Sequence, residues 1–258
     1  EWMLAGRFFN GIYPEGNFSW HHLWFLPYLL VFSVLLTPVF TKMRIKGDRG
    51  LVYEMQKRIE QRPFFLFVLV VPLYFYESLL EPFFEITHNL IWDWLNFVSS
   101  LTLFFYGFLL ISLGNAFWKA IGRIWKFSLL AGIVCFSGQL FIWNYFEDAI
   151  YVLFTEALLK VVNLWSWILV ILGIGSTFLN HNSRILSYAN TAVYPFYILH
   201  QTATIIIAYW IYDKAWGLLP KFLLLAIGTF LICFLTYEFL IRRIKWLYPL
   251  FGLKVKKG

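Results

Sequence analysis

Charged residues and cysteines are scarce in this sequence. Asp, Glu, Lys and Arg supply only 14% of the 258 residues, whereas apolar residues supply 60%. Soluble globular proteins carry roughly 25% charged residues, so the composition excludes a soluble domain, a disordered segment and a collagen-like rod. The sequence is therefore that of a membrane protein.

The two cysteines, Cys135 and Cys233, both lie inside apolar runs. A thiol in such a run behaves as a small hydrophobic group, so neither a disulfide framework nor a metal site is predicted. The sequence also lacks the GxSxG elbow, a phosphate-binding glycine loop and the HExxH motif. We accordingly expect no metal and no bound cofactor.

Seven apolar runs are long enough to cross a bilayer, for which a helix needs about 20 residues. The runs are continuous rather than alternating, so helices are predicted rather than barrel strands. They cover approximately residues 23–41, 63–80, 91–114, 127–143, 158–179, 192–212 and 222–241. The sequence thus predicts an all-α, polytopic transmembrane helix bundle of about seven spans, forming a single domain over residues 1–258.

The basic residues predict the orientation of these spans. Of the 21 Lys and Arg residues, 17 fall in residues 42–62, in a predicted turn over 115–126, near Arg184, and after residue 241. Cytoplasmic segments are enriched in Lys and Arg, so the N-terminal end is predicted to be external and the C-terminus cytoplasmic. The net charge of +7 therefore reflects topology, and the predicted partner is the lipid bilayer rather than nucleic acid.

Two surface features follow from this topology. The cytoplasmic segment 42–62 is predicted to contain a short amphipathic surface helix. On the external side, Glu77, Glu81 and Glu85 share one helical face, which indicates a solvated acidic rim rather than paired catalytic carboxylates.

His200 is the clearest ionisable residue inside a predicted span, about 12 Å from the cytoplasmic start of that span at about 1.5 Å per residue. Such a residue is costly in hydrocarbon and marks a functional candidate. Tyr194, Tyr197, Gln201 and Thr204 share its helical face, and a polar stripe of this kind is expected to face the bundle interior or a water-filled cavity. Two interpretations stay open: His200 handles protons, or it only hydrogen-bonds a neighbouring helix.

A second cluster, with the sequence WHHLWFLP, lies at the external start of the first span and contains His22 and Trp24. Adjacent histidines lack the i, i+4 spacing that two metal ligands on one helix face need. An interfacial aromatic belt accounts for Trp24 but leaves the histidine pair unexplained.

Three weaker signals lie elsewhere in the spans. Glu238 and Arg242 form an i, i+4 pair that is predicted to be structural. Asn163 and Gln139 can each serve as interhelical hydrogen-bonding groups.

The sequence resembles the acyltransferase 3 family of integral membrane O-acyltransferases, and within it the glucan biosynthesis branch. The resemblance rests on the stretch HLWFLPYLL, which begins at His22, and on YPFYILHQ, which begins at Tyr194. A short loop with Asn182, Ser183 and Arg184 precedes the second stretch. The order and separation of the two stretches also match, so the resemblance extends over most of the chain.

This resemblance implies a protein of the bacterial plasma or inner membrane. Such a protein would take an acyl group of the acetyl or succinyl type from cytoplasmic acyl-CoA and place it on a hydroxyl group of a glucan or other carbohydrate outside. His200 would be a catalytic residue. The residues implied in substrate binding are His22, Trp24, Tyr194, Tyr197 and Gln201.

The chemistry of this reaction agrees with the residues in the polar stripe. A sugar hydroxyl is a poor nucleophile at neutral pH, so acyl transfer needs a base, and histidine is suited to that task. The thioester oxygen also needs hydrogen-bond donors as negative charge develops on it. Tyr197 and Gln201 can supply them.

The sequence departs from the family pattern at its N-terminal end. Family members look like ten-span proteins with a basic residue followed about ten positions later by a histidine in the first span, and that element has no counterpart here. Because the chain also begins with Glu1, we expect about three further spans to precede it. His200 would then be an accessory or positioning residue. It would be the principal base only if residues 1–258 were themselves the complete protein.

Two alternatives stay open. A non-enzymatic seven-span receptor or transport component fits the number of spans, although the last span has no interior lysine for retinal, and the DRY and NPxxY elements are missing. Another class of membrane acyltransferase pairs a buried histidine with a distant asparagine, for which Asn163 is a candidate. That class lacks the YPFYILH stretch.

Overall fold

The structure is a computed structural model, and it describes residues 21–46, 50–88, 90, 92–146, 149–181 and 183–253. Helices dominate these ranges, and no strand occurs within them. The chain divides into two compact units, Glu1–Asn180 and His181–Gly258. The interpretation as a single domain stays a prediction.

Among its described residues, the first unit contains a short 3₁₀ helix at His21–Trp24 and six α-helices. The helices are α1 (Phe25–Lys46), α2 (Leu51–Gln61), α3 (Val70–Leu80, preceded directly by a 3₁₀ segment at Pro63–Leu69), α4 (Trp94–Ser112), α5 (Gly114–Tyr145) and α6 (Ile150–Phe178).

Two buried aromatic side chains connect three of these helices in the core of the first unit. The indole Nε1 of Trp165 in α6 donates a hydrogen bond to the carbonyl of Leu66, at 3.0 Å. The hydroxyl of Tyr106 in α4 donates one to the carbonyl of Leu69, also at 3.0 Å. Buried Trp and Tyr need a partner for the polar end of the side chain, and the 3₁₀ segment before α3 supplies it.

The connection between α4 and α5 is short. It consists of Leu113 alone, and Gly114, the first residue of α5, has a φ of +54°, which a glycine adopts without steric cost. The prediction of a turn over residues 115–126 is wrong, because these residues form the first turns of α5. Lys119, Arg123 and Lys126 interrupt the apolar run but are good helix formers, so the helix continues through them.

The predicted amphipathic helix in residues 42–62 is confirmed as α2. Met55 and Ile59 are buried, whereas Lys57 and Arg58 are exposed. This helix packs against α5, and the guanidinium of Arg123 donates a hydrogen bond to the carbonyl of Glu60 at 3.3 Å.

The second unit is an antiparallel pair of helices. Its elements are α7 (Arg184–Ile211), α8 (Leu218–Thr236), a π-helical turn (Tyr237–Ile241) and a 3₁₀ segment (Lys245–Phe251). The Ser183 hydroxyl caps α7 by accepting a hydrogen bond from the Leu186 amide at 3.0 Å. Ala192, Tyr237 and Ile241 form the buried core of this unit.

Six helices in the described part of the chain are long and apolar enough to cross a membrane. They cover Phe25–Arg44, Pro63–Leu80, Trp94–Ser112, Gly114–Tyr145, Ile150–Phe178 and Leu218–Ile241. The run predicted at 192–212 lies in α7, which is long enough at 28 residues but more polar than these six. The predicted all-α polytopic bundle is confirmed.

Candidate functional site

Trp24, one of the predicted substrate-binding residues, stacks on a histidine from the connection between α3 and α4. The ring centroids of Trp24 and His88 lie 4.2 Å apart, with 22° between the ring planes. Tyr28 lies about one turn further along the chain, in α1. Its ring centroid is 5.4 Å from that of the same indole, with the two rings nearly perpendicular. Trp24 and His88 are both partly exposed. The side chain of His22 lies outside the described residues, and its role in substrate binding stays a prediction.

A buried carboxylate holds this connection in place. Asp93 is 1% exposed, and its oxygens accept hydrogen bonds from four donors. These donors are the Tyr28 hydroxyl, the backbone amides of Thr87 (3.0 Å) and His88 (3.1 Å), and the Asn96 side-chain amide (2.8 Å). Removing a carboxylate from water is costly unless donors replace the water, and this set of donors does so.

The same connection has an unusual backbone. His88, Leu90 and Trp92 all have positive φ angles, of 58°, 70° and 62°. Side chains other than glycine rarely adopt this conformation, which costs about 1–3 kcal/mol per residue and occurs most often at functional sites. The Leu90 amide donates to the Tyr28 hydroxyl at 2.9 Å. Hydrogen bonds with Tyr28, which lies more than 60 positions earlier in the chain, therefore stabilise the strained segment.

In the second unit, the backbone of α7 fixes the imidazole of His200. Its Nδ1 lies 2.8 Å from the carbonyl oxygen of Tyr197 and 3.3 Å from that of Phe196. Carbonyl oxygens only accept hydrogen bonds, so Nδ1 carries a proton, and in the neutral imidazole the lone pair is on Nε2. The side chain of His200 is exposed.

The other predicted members of the stripe on α7 lie on the same side of the helix. The ring centroid of Tyr197 is 5.9 Å from that of His200. The Thr204 hydroxyl lies 3.0 Å from that of Thr229 in α8. Gln201 is partly buried, and the ring of Tyr194 lies against Gly252, where an added Cβ would come within 2.7 Å of it.

The Glu238–Arg242 pair predicted as structural lies at the π-helical turn. Arg242 donates hydrogen bonds to both carboxylate oxygens of Glu238, at 2.6 and 2.7 Å, and Tyr188 donates a third at 2.9 Å. Burial and the adjacent Glu238 carboxylate raise the pKa of Tyr188, which precedes the predicted span in α7, to about 12. This cluster links the start of α7 to the end of α8.

The predicted acidic rim forms part of a groove in the first unit. Glu77 makes an ion pair with Lys160 of α6. The groove has a volume of about 410 Å³, and its lining includes Glu77, Glu81, Gln139, Trp143, Glu156 and Lys160. The prediction that Glu85 shares a helical face with Glu77 is wrong, because α3 ends at Leu80, before Pro82, and Glu85 lies beyond it. Glu85 is also not among the lining residues.

The sequence analysis did not single out His88, Tyr28 and Asn96. Only one signal points to them: Asp93 and Asn96 are polar residues one helical turn apart at the edge of an apolar run. No group of three or more His, Cys, Asp or Glu residues that could hold a metal ion occurs within the described residues.

Comparison with known proteins identifies the family. Residues 3–238, which are most of the chain, match the acyltransferase 3 family model, described as an acyltransferase domain. The chain belongs to the acyltransferase 3 family. No curated protein and no solved structure gives a significant match.

The acyltransferase 3 assignment confirms the family inferred from the HLWFLPYLL and YPFYILHQ stretches. Together with the apolar helices, it makes this chain a multi-pass membrane acyltransferase. The role of Asn163 as an interhelical hydrogen-bonding group stays a prediction. Its side-chain oxygen is buried and makes no hydrogen bond within the described residues.

Proposed function

We propose that this acyltransferase moves an acyl group of the acetyl or succinyl type from acyl-CoA to a carbohydrate hydroxyl, with a glucan as the acceptor. The membrane is the bacterial plasma or inner membrane. Family membership supports acyl transfer in general, and the predicted topology places a donor from the cytoplasm and an acceptor from outside on opposite sides of the bilayer.

The observation that carries this proposal is the fixed imidazole of His200. Its bond from Nδ1 to the Tyr197 carbonyl at 2.8 Å orients Nε2 as the basic nitrogen. In the proposed reaction, Nε2 takes the proton of the sugar hydroxyl as its oxygen attacks the thioester carbonyl. The C–S bond then breaks, and the CoA thiolate receives the proton from the imidazolium.

The substrates are assigned to two groups of residues. Tyr197 and Gln201 donate hydrogen bonds to the thioester oxygen as negative charge develops there, and Tyr194 lies one turn before Tyr197 on α7. His22 and Trp24 contact the acceptor at the predicted external end of α1.

The test uses the complete gene product, with whatever residues precede Glu1, in native membranes. Radiolabelled acetyl-CoA or succinyl-CoA is supplied with a panel of linear glucose hexamers that differ in linkage. We expect label to appear in at least one hexamer. Absence of transfer from both donors to every hexamer would overturn the proposal.

A further inference from the structure

The hydrogen bonds around Asn96 determine which nitrogen of His88 carries the proton. The Asn96 amide nitrogen lies 2.8 Å from an oxygen of the Asp93 carboxylate, which only accepts hydrogen bonds. This contact fixes the orientation of the amide, and its oxygen accepts from the Ser100 hydroxyl at 3.1 Å. The same amide nitrogen lies 3.2 Å from Nδ1 of His88, so Nδ1 is an acceptor.

The proton of His88 is therefore on Nε2. This nitrogen makes no hydrogen bond to any of the residues that the structure describes. Because the ring stacks on Trp24 and its backbone amide is bonded to Asp93, the direction of the Nε2–H bond is fixed. His88 therefore presents a hydrogen-bond donor at Nε2.

We propose that His88 binds a hydroxyl group of the carbohydrate acceptor through its Nε2–H, beside the indole of Trp24. Asp93 and Asn96 act as positioning residues for this ring. The inference rests on the proposed function, because the carbohydrate acceptor is proposed there.

The chemistry of the site favours a carbohydrate over the acyl-CoA donor. A sugar ring offers an apolar face and hydroxyl oxygens, which match an aromatic surface and a fixed N–H group. The predicted topology also places the connection between α3 and α4 on the external side, away from cytoplasmic acyl-CoA. The partial exposure of both rings leaves them accessible.

Two variants of His88 separate the two contributions. His88→Phe keeps an aromatic ring on Trp24 but removes the N–H donor, whereas His88→Gln removes the ring but can retain a donor near the position of Nε2. A hydrogen bond is worth about 0.5–1.5 kcal/mol. We therefore expect His88→Phe to raise the KM for the hexamer that serves as acceptor roughly 2- to 10-fold. The kcat and the KM for acyl-CoA should stay unchanged.

The control is His181→Phe, the same substitution at an exposed histidine before α7. It should leave both KM values unchanged. An unchanged acceptor KM in a well-folded His88→Phe protein would overturn the inference, as would a change confined to the KM for acyl-CoA.

A second measurement does not depend on catalysis. The signals of His88 in ¹⁵N-histidine spectra of the purified protein in nanodiscs can be assigned by comparison with His88→Phe. We expect the His88 signals of an Nε2–H imidazole, shifted on titration with the glucose hexamers. An Nδ1–H ring, or no shift with any hexamer, would contradict the inference.

The two arms distinguish this inference from the proposed function. Hexamer-dependent shifts of His88 without acyl transfer would retain the binding site and reject the transfer reaction. Acyl transfer with an unchanged His88 spectrum and an unchanged KM would retain the reaction and reject the site.

Discussion

At the scale of single residues, the Asp93 carboxylate is the point to which four donors converge. One of these donors is the hydroxyl of Tyr28 in α1, 65 residues away in the chain. The carboxylate thus connects α1 to the segment between α3 and α4.

The Tyr28 hydroxyl is expected to stabilise the first unit. Tyr28→Phe leaves the Leu90 amide without its acceptor and Asp93 without one donor. Unsatisfied buried polar groups cost about 1–3 kcal/mol, so we expect a lower thermal unfolding temperature in detergent. Tyr145→Phe, at a side chain that is 75% exposed, is the control and should melt like the wild type. Equal melting of both variants would show that the Asp93 cluster contributes little stability.

His200 provides the residue-scale test of catalysis. If its Nε2 transfers a proton, His200→Gln should lower kcat by about 10²- to 10⁴-fold while the melting temperature stays near that of wild type. His181→Gln is the matched control and should keep full activity. If His200 only joins helices, the effect is limited to the roughly 0.6–2 kcal/mol of an interhelical hydrogen bond, and His200→Gln would retain near wild-type turnover.

At the scale of elements, the sequence predicted some helices better than others. The run at 63–80 has the same bounds as the observed span because Arg62 precedes it and Glu81 follows it. The predicted run begins at residue 127, whereas α5 begins at Gly114. The difference arises because Lys119, Arg123 and Lys126 interrupt the apolar run but, as good helix formers, do not end the helix. The polar stripe on α7 lowers the hydropathy of this helix below that of the six spans.

Helices α5 and α6 approach each other closely at Gly173. A Cβ at Gly173 would lie 2.5 Å from Cβ of Trp125, whereas a Cβ at Gly175 would meet nothing within 4 Å. Overpacking of this kind costs about 1–3 kcal/mol, so Gly173→Ala should lower the melting temperature. Gly175→Ala, two residues away on the same helix, should not. A Gly173→Ala protein as stable as the Gly175→Ala protein would show that the helices separate without cost.

At the scale of the whole molecule, the fold class followed from composition and periodicity because the bilayer permits few structures. The positions of the residues in the candidate site did not follow, because they depend on side-chain hydrogen bonds within each unit. The orientation in the membrane stays a prediction, because it rests on the distribution of Lys and Arg along the sequence.

Cysteine labelling tests that orientation. Single cysteines at Lys57 and Glu85, both exposed, should react with a membrane-impermeant maleimide from opposite sides, with Lys57 cytoplasmic. The native Cys135 and Cys233 are both buried and can be replaced by alanine to remove any background. Labelling of both positions from the same side would show that the predicted topology is wrong.

The length of α5 indicates the thickness of the hydrocarbon core that this protein fits. Its 32 residues correspond to about 48 Å at about 1.5 Å per residue, well beyond a hydrocarbon core of about 30 Å. The 19 residues after Lys126 account for about 29 Å, and the basic turns before them keep the helix from sliding deeper. In a bilayer of different thickness, either the lipids deform around this helix or the helix tilts. A membrane with a hydrocarbon core of about 29 Å matches the apolar part of α5 without either change.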